Sequence, residues 1–217
     1  MNIIWRGQSF FEITAKGKDG EAVKVVIDPF DAKIGLRVPK TEADVLLVTH
    51  DHSDHSNVKA IAGKPFIINE LGEYEIKDVF IKGISAFHDA VEGKERGGII
   101  IYKIVTEGLK LCHLGDLGQK ELTPEQLEEI GEIDILIVPV GGTYTIDAKQ
   151  ASEVVAQIEP RIVIPMHYKI PGLKVQLDGV NKFLKVMGAE DSQKEKKFKI
   201  TKAHLPAEET KIIVLEV

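Results

Sequence analysis

The stretch Val45-Leu46-Leu47-Val48-Thr49-His50-Asp51-His52-Ser53-Asp54-His55 decides how this chain is read. Its first four residues are an apolar run bounded by polar ones, which predicts a buried strand. Three imidazoles and two carboxylates follow within six residues, on a tight loop leaving that strand. His and Asp are common in turns, so a solvated polar loop is the plain alternative. It leaves the crowding of nitrogen and oxygen donors unexplained. Those are the donors zinc binds, with one position left open where the ion does chemistry. In an extended loop His50 and His52 can point one way while Asp54 and His55 serve a neighbouring point. One loop can therefore begin two metal positions.

The totals bound what such a site could serve. A chain of 217 residues is enough for one sizeable core and short for two, so a single domain over 1–217 is expected. Charged residues at 29% and hydrophobic ones at 43% are ordinary for a soluble globular protein. A net charge of -6 offers no basic field to a nucleic-acid backbone or an anionic membrane. No apolar run approaches a membrane span, and the N-terminus lacks the apolar region of a signal peptide. The single cysteine, Cys112, excludes an intrachain disulfide and makes a reducing cytoplasm the expected home.

On the N-terminal side of the histidine loop, Asn2–Trp5, Phe10–Thr14 and Ala22–Ile27 read as a β-meander, with turns at Gly7 and across Lys16–Gly20. Asp28 follows the last of these strands, before Pro29, where an aspartate also serves to begin a turn. On the C-terminal side a short helix is expected at Asn57–Ala62, a strand at Pro65–Ile68 and a hairpin over Glu73–Ala86. His88 ends that hairpin, a place where a lone histidine is usually structural. A charged, glycine-rich loop runs from Asp89 to Gly98. Strands Ile99–Val105 and Leu109–Cys112 precede His113-Leu114-Gly115-Asp116. Thr123-Pro124-Glu125-Gln126 carries a capping box with proline at the first helical position. A buried strand Asp134–Val140, the loop Gly141–Thr145 and a helix over Asp147–Ile158 lead to the strand Arg161–His167, which ends in another histidine. A helix near Leu177–Met187 and strands at Phe198–Ile200 and Ile212–Leu215 complete the reading.

The motif His50-x-His52-x-Asp54-His55 resembles the signature of the metallo-β-lactamase superfamily of binuclear metallohydrolases. Asp28, His88, Gly115-Asp116 and His167 stand in the order of that superfamily's other motifs. The segments Val138–Thr145 and Pro165–Tyr168 are similar to its branch of ascorbate-6-phosphate lactonases, and more distantly to the N-acyl-phosphatidylethanolamine phospholipase. The resemblance implies an α/β (α+β) fold, a four-layer αββα sandwich of two mixed sheets flanked by helices. It implies two divalent cations, with zinc expected first and manganese or iron(II) as alternatives. His50, His52 and His88 would hold one; Asp54, His55 and His167 the other; Asp116 would bridge them, which a carboxylate can do and an imidazole cannot. Asp28 would support the histidine loop from behind.

Three further residues carry open questions at this level. His113 competes with His88 as a ligand; His88 is preferred, with His113 a supporting or substrate-side residue. Tyr144 is either a hydrogen-bond donor to the reacting group or a loop anchor. Gln8 stands where relatives commonly have histidine, and an amide cannot carry a proton at neutral pH. Asp54, His113 and Tyr144 are thus the candidate catalytic residues beside the metal ligands. The expected activity is hydrolysis of a small, anionic lactone, ester or phosphodiester, with no nucleic acid or membrane partner and homo-oligomerisation left open. A nuclease of the same fold, a di-metal redox protein and a non-catalytic metal-binding protein are the alternatives. The acidic charge weighs against the first and His52 against the second.

Overall fold

The computed structural model describes residues 1–18, 20–207 and 209–217. Two large sheets dominate it. One has six strands in the order Phe198–Lys199, Asn2–Trp5, Phe11–Lys16, Ala22–Ile27, Val45–Leu47, Phe66–Ile68. The other has seven, in the order Lys211–Ile212, Ile162–Met166, Ile135–Pro139, Leu109–His113, Gly98–Thr106, Val79–Phe87, Gly72–Ile76. Both mix parallel and antiparallel pairs, as expected of the mixed sandwich.

The layers follow from side-chain alternation along the strands. Val45 and Leu47 join one buried cluster with Ile3, Ile13, Val25, Ile101, Leu111 and Ile135, drawn from both sheets. That cluster is the interface between them. Leu46, between Val45 and Leu47, faces the other way, into a second cluster with Phe10, Val26, Phe30, Ile34 and Leu173. Both faces of this strand are therefore buried, which explains its unbroken apolar run.

Helices lie along the seven-stranded sheet. Pro124–Ile130 packs on the strand Val79–Phe87, and Ala148–Ile158 on Ile135–Pro139. The first has the expected capping box, with Thr123 Oγ1 accepting from the Gln126 N–H and the Gln126 side chain accepting from the Thr123 N–H. The second is capped by Asp147 in the same way. The six-stranded sheet is covered differently. The helix expected at Asn57–Ala62 is a single 3-10 turn, Val58–Ala60. Asn57 does not cap it, because its side-chain amide donates to the Phe30 carbonyl (2.9 Å). Ile61–Ala62 then leaves as a short strand beside Thr41–Glu42.

Other boundaries shift locally. The hairpin runs Gly72–Ile76 and Val79–Phe87, with Lys77 and Asp78 both at positive φ (52° and 62°), the conformation a tight two-residue turn requires. The C-terminal helix is confined to Asn181–Val186. The last strand is split, Lys211–Ile212 pairing with Ile162–Val163 and Val214–Leu215 with Lys194–Glu195. Of the turn expected across Lys16–Gly20, Asp19 lies outside the described residues. No helix among the described residues is long and apolar enough to cross a membrane.

Strand direction is what builds the site. Val79–Phe87, Leu109–His113, Ile135–Pro139 and Ile162–Met166 all run the same way in the seven-stranded sheet. In the six-stranded sheet Asn2–Trp5, Ala22–Ile27 and Val45–Leu47 share a direction. Gln8, Asp28, the His50–His55 loop, His88, Asp116 and His167 each come within a few residues after the carboxyl end of one of these strands.

Candidate metal centre

Two donor groups form where these loops meet. His50, His52 and His88 make one; Asp54, His55, Asp116 and His167 make the other, and within each the donor atoms lie within 4.8 Å of one another. Asp116 connects them. Its Oδ2 stands 3.1 Å from both His55 Nε2 and His167 Nε2 and 3.7 Å from His88 Nε2. The structure thus brings together all seven residues expected to hold metal.

The chain fixes most of these rings from behind. Asp28 adopts φ 48°, and its buried carboxylate accepts three hydrogen bonds. Oδ1 takes the Thr49 N–H (2.8 Å); Oδ2 takes the Thr49 hydroxyl (2.7 Å) and His55 Nδ1–H (2.9 Å). Because the Thr49 hydroxyl donates to Asp28, its oxygen is free to accept from His50 Nδ1, 2.9 Å away. Both histidines are thereby held by Nδ1 with Nε2 turned to the site, the nitrogen a metal would take. Asp28 has the supporting position expected of it.

The electrostatics call for a cation. His55 Nε2 is fully buried and makes no hydrogen bond, although carboxylate oxygens of Asp116 and Asp54 stand 3.1 and 3.5 Å away. Burial works against charge on His55, yet the flanking Asp116 and Asp28 pull its pKa well above the usual histidine value. Burial likewise opposes charge on Asp116, but His167 and His55 hold it well below the usual carboxylate range. Burial resists ionisation of Asp54 too, and His55 overrides it, so that this pKa is also lowered. In the three-histidine group burial pushes His50 down to about 3 and also lowers His88, so both rings stay neutral. Neutral imidazoles on one side and ionised carboxylates on the other fit a divalent cation at each position.

His113 lies elsewhere. It is fully buried, Nε2–H donates to the Ser9 carbonyl (3.1 Å) and Nδ1 accepts from the Gly115 N–H (3.1 Å). With both nitrogens committed to backbone it neither competes with His88 nor faces a substrate. Its contribution is to hold Ser9, whose hydroxyl donates to Asp116 Oδ1 (2.9 Å). Tyr144 is 42% exposed, its ring lies under the Arg96 guanidinium at 5.4 Å, and its hydroxyl makes no hydrogen bond among the described residues. This stack joins the Asp89–Gly98 loop to the Gly141–Thr145 loop. The first of these loops is wound around the Asp89 carboxylate, which accepts from the N–H groups of Val91, Gly93, Glu95 and Arg96. Burial raises the pKa of Asp89, but the four donors outweigh it and bring it down to about 2.

Close backbone approach sets two more boundaries of the site. A Cβ on Gly118 would lie 2.2 Å from the His88 carbonyl oxygen, and one on Gly141 would lie 2.0 Å from that of His167. Only glycine lets these loops pass the ligand-bearing segments. The supporting residues Thr49 and Ser9 gave no sequence signal of their own, because Asp28 and Asp116, which they hold, are distant from them in the chain. A surface cleft of about 1030 Å³, lined by Lys110, Glu132, Arg161 and Lys202 among others, contains none of the metal-donor residues.

Comparison with known proteins agrees with this geometry. Residues 2–167 match the family model described as β-lactamase superfamily domain. A UPF0173 metal-dependent hydrolase of Thermoplasma acidophilum is 30% identical over 196 residues, 77% of this chain and 83% of that one. A similarly named protein of Staphylothermus marinus is 32% identical, covering 76% and 82%. A crystal structure from Thermotoga maritima, named as a candidate Zn-dependent hydrolase of the metallo-β-lactamase superfamily, superposes with a TM-score of 0.77 at 38% identity, covering 99% of this chain and 97% of that one. With the motif order, the two mixed sheets and the paired donor groups already in place, the chain belongs to the metallo-β-lactamase superfamily of metal-dependent hydrolases.

Proposed function

We propose that this protein is a binuclear hydrolase of a small anionic lactone, ester or phosphodiester. The observation that carries the binuclear reading is the position of Asp116, one carboxylate within reach of both donor groups. Divalent cations held there, zinc or in its place manganese or iron(II), would lower the pKa of water towards neutrality and act as Lewis acids. The residues of the chain do the rest. Asp54 is the partly open carboxylate of the second group, its side chain 24% exposed where those of His55, Asp116 and His167 are 3% or less. Because its pKa is held down, it stays ionised at neutral pH, able to accept a hydrogen bond and orient the nucleophile but not to act as an acid. Exposed His52 marks the mouth of the first group.

The small-molecule reading draws on Arg96 and on the chain's charge. Arg96 is half-buried, stacked on Tyr144, and forms no ion pair among the described residues, so its charge is available to an anion. Lys94 is less suited, being exposed and 3.9 Å from Glu92. A net charge of -6 disfavours a nucleic-acid chain, and the one buried thiol is compatible with a reducing cytoplasm. The lactonase branch remains the nearest guide to substrate through Val138–Thr145 and Pro165–Tyr168.

The test is elemental analysis of protein purified without chelator, followed by a panel of lactones, thioesters, phosphodiesters and RNA with each metal form. About two ions per chain and turnover of a small ester or diester are expected. A stoichiometry fixed at one with added zinc or manganese would end the binuclear reading. RNA cleavage faster than any small-molecule turnover would end the substrate reading.

A further inference from the structure

Gln8 is a polar side chain that the chemistry above does not use. It is fully buried, in the turn between Asn2–Trp5 and Phe11–Lys16. Its backbone is held at φ 51°, directly after Gly7 at φ 103°. Left-handed backbone at a glutamine persists only where the surroundings impose it. Here Trp5 Nε1–H (2.8 Å) and the His167 N–H (3.2 Å) both donate to its carbonyl. The second of these ties Gln8 to a metal-donor residue through the main chain.

The side chain reaches the same group. Gln8 Nε2 lies 3.1 Å from His167 Nε2 and 3.3 Å from Asp54 Oδ2, both donor atoms of the second group. Its Oε1 is buried and has no partner. Oxygen and nitrogen of an amide exchange places by a half-turn of the carboxamide. After that turn Oε1 would stand beside a histidine lone pair and a carboxylate oxygen, which repel it unless a cation lies among all three. Donors about 2.0–2.2 Å from one ion at tetrahedral or right angles sit roughly 2.8–3.6 Å apart. The spacings around His167 Nε2, Asp54 Oδ2 and the Gln8 amide match this, as do those of 3.1 Å from Asp116 Oδ2 to His55 and His167.

We propose that Gln8 is an additional ligand of the second metal position, giving its side-chain oxygen to the ion held by Asp54, His55, Asp116 and His167. The proposal rests on the reading of that group as a metal position. A fifth protein donor, and a neutral oxygen, moves the position away from four-coordinate zinc and towards a harder, higher-coordinate ion such as manganese. An imidazole in place of Gln8 would add nitrogen instead, so this residue makes the metal preference of the chain its own.

The experiment titrates zinc and manganese separately into chelator-stripped full-length protein, against a competing chromophoric chelator, in wild type, Gln8→Ala and Gln8→Glu. Wild type should take up two equivalents. Gln8→Ala should weaken one of the two manganese equivalents about 10-fold or more, weaken zinc less, and leave the other equivalent unchanged. Gln8→Glu should keep or tighten the affected equivalent, because a carboxylate is a better oxygen ligand. The unchanged equivalent reports that each variant is folded at the site. Wild-type binding of both equivalents by Gln8→Ala would overturn the ligand role while leaving the binuclear reading intact. Loss of the affected equivalent in Gln8→Glu as large as in Gln8→Ala would also overturn it, by showing that the amide acts only as a donor to Asp54. A wild type that binds one equivalent of either metal would overturn both readings.

Discussion

Asp28 Oδ2 accepts from His55 Nδ1–H at 2.9 Å, and neither side chain has any surface open to solvent. One carboxylate thereby sets which nitrogen of His55 faces the metal position and, through Thr49, does the same for His50. Asp28→Asn keeps the shape and tolerates the positive φ, since asparagine is at home in left-handed backbone. It removes the charge and half of the acceptor capacity. Loss of such a supporting partner typically costs 10- to 100-fold in metal affinity. Competition titration should find that loss in Asp28→Asn; unchanged affinity would mean that loop packing alone orients the rings.

His88 and His113 should separate cleanly when each is replaced by alanine. His88→Ala removes a donor and should lower occupancy at the first position. His113→Ala removes a fully buried ring and two hydrogen bonds to backbone, and should cost roughly 2–4 kcal/mol of stability with metal stoichiometry intact. Melting curves and elemental analysis on both variants decide it. Loss of an ion from His113→Ala with His88→Ala still fully loaded would exchange their roles.

Glu12 gives a prediction about pH. Its buried side chain pairs with Arg6 Nε (2.8 Å) and Lys24 Nζ (3.0 Å). Burial raises its pKa, but Arg6 and Lys24 outweigh it, so the folded value lies below the unfolded one of about 4.3. A depressed carboxylate stabilises the fold above the unfolded pKa, and that stability is lost as pH falls through the folded value. Chelator-stripped wild type should therefore lose stability more steeply below about pH 4.3 than Glu12→Gln. Parallel acid-unfolding slopes would remove Glu12 from the acid sensitivity.

Arg96 should act on substrate binding and not on the chemical step. Arg96→Gln should raise KM for an anionic substrate more than it lowers kcat, as expected when a uniformly felt contact is lost. The effect should shrink with added salt, because a charge screened over about 8–10 Å is felt less. A fall in kcat at constant KM would place Arg96 at the reacting atoms.

How much of this was legible in the sequence depends on how local the cause is. Val45–Val48, the capping box at Thr123, the helix expected over Asp147–Ile158 and the His50–His55 loop are local patterns, and each lies within a residue or two of its expected place. The choice between His88 and His113 was not local. Both end apolar strands, and only the neighbouring main chain, Ser9 and Gly115, shows that the second is fully bonded. The Asn57–Ala62 helix is cut to one turn by partners distant in the chain: the Asn57 amide donates to the Phe30 carbonyl, 27 residues earlier, and Ile61–Ala62 pairs with Thr41–Glu42. Gln8 was visible as a departure from a histidine, but its meeting with His167, 159 residues away, is a product of sheet topology.

The ligands' distribution between the sheets has a mechanical consequence. His50, His52, Asp54 and His55 hang from the six-stranded sheet; His88, Asp116 and His167 hang from the seven-stranded one. An ion held by both groups is a rivet through one rim of the sandwich, and prising the halves apart must shear it first. Cation supply should then set the folded lifetime of the molecule as well as its activity, with unfolding slowing as the rivet is loaded.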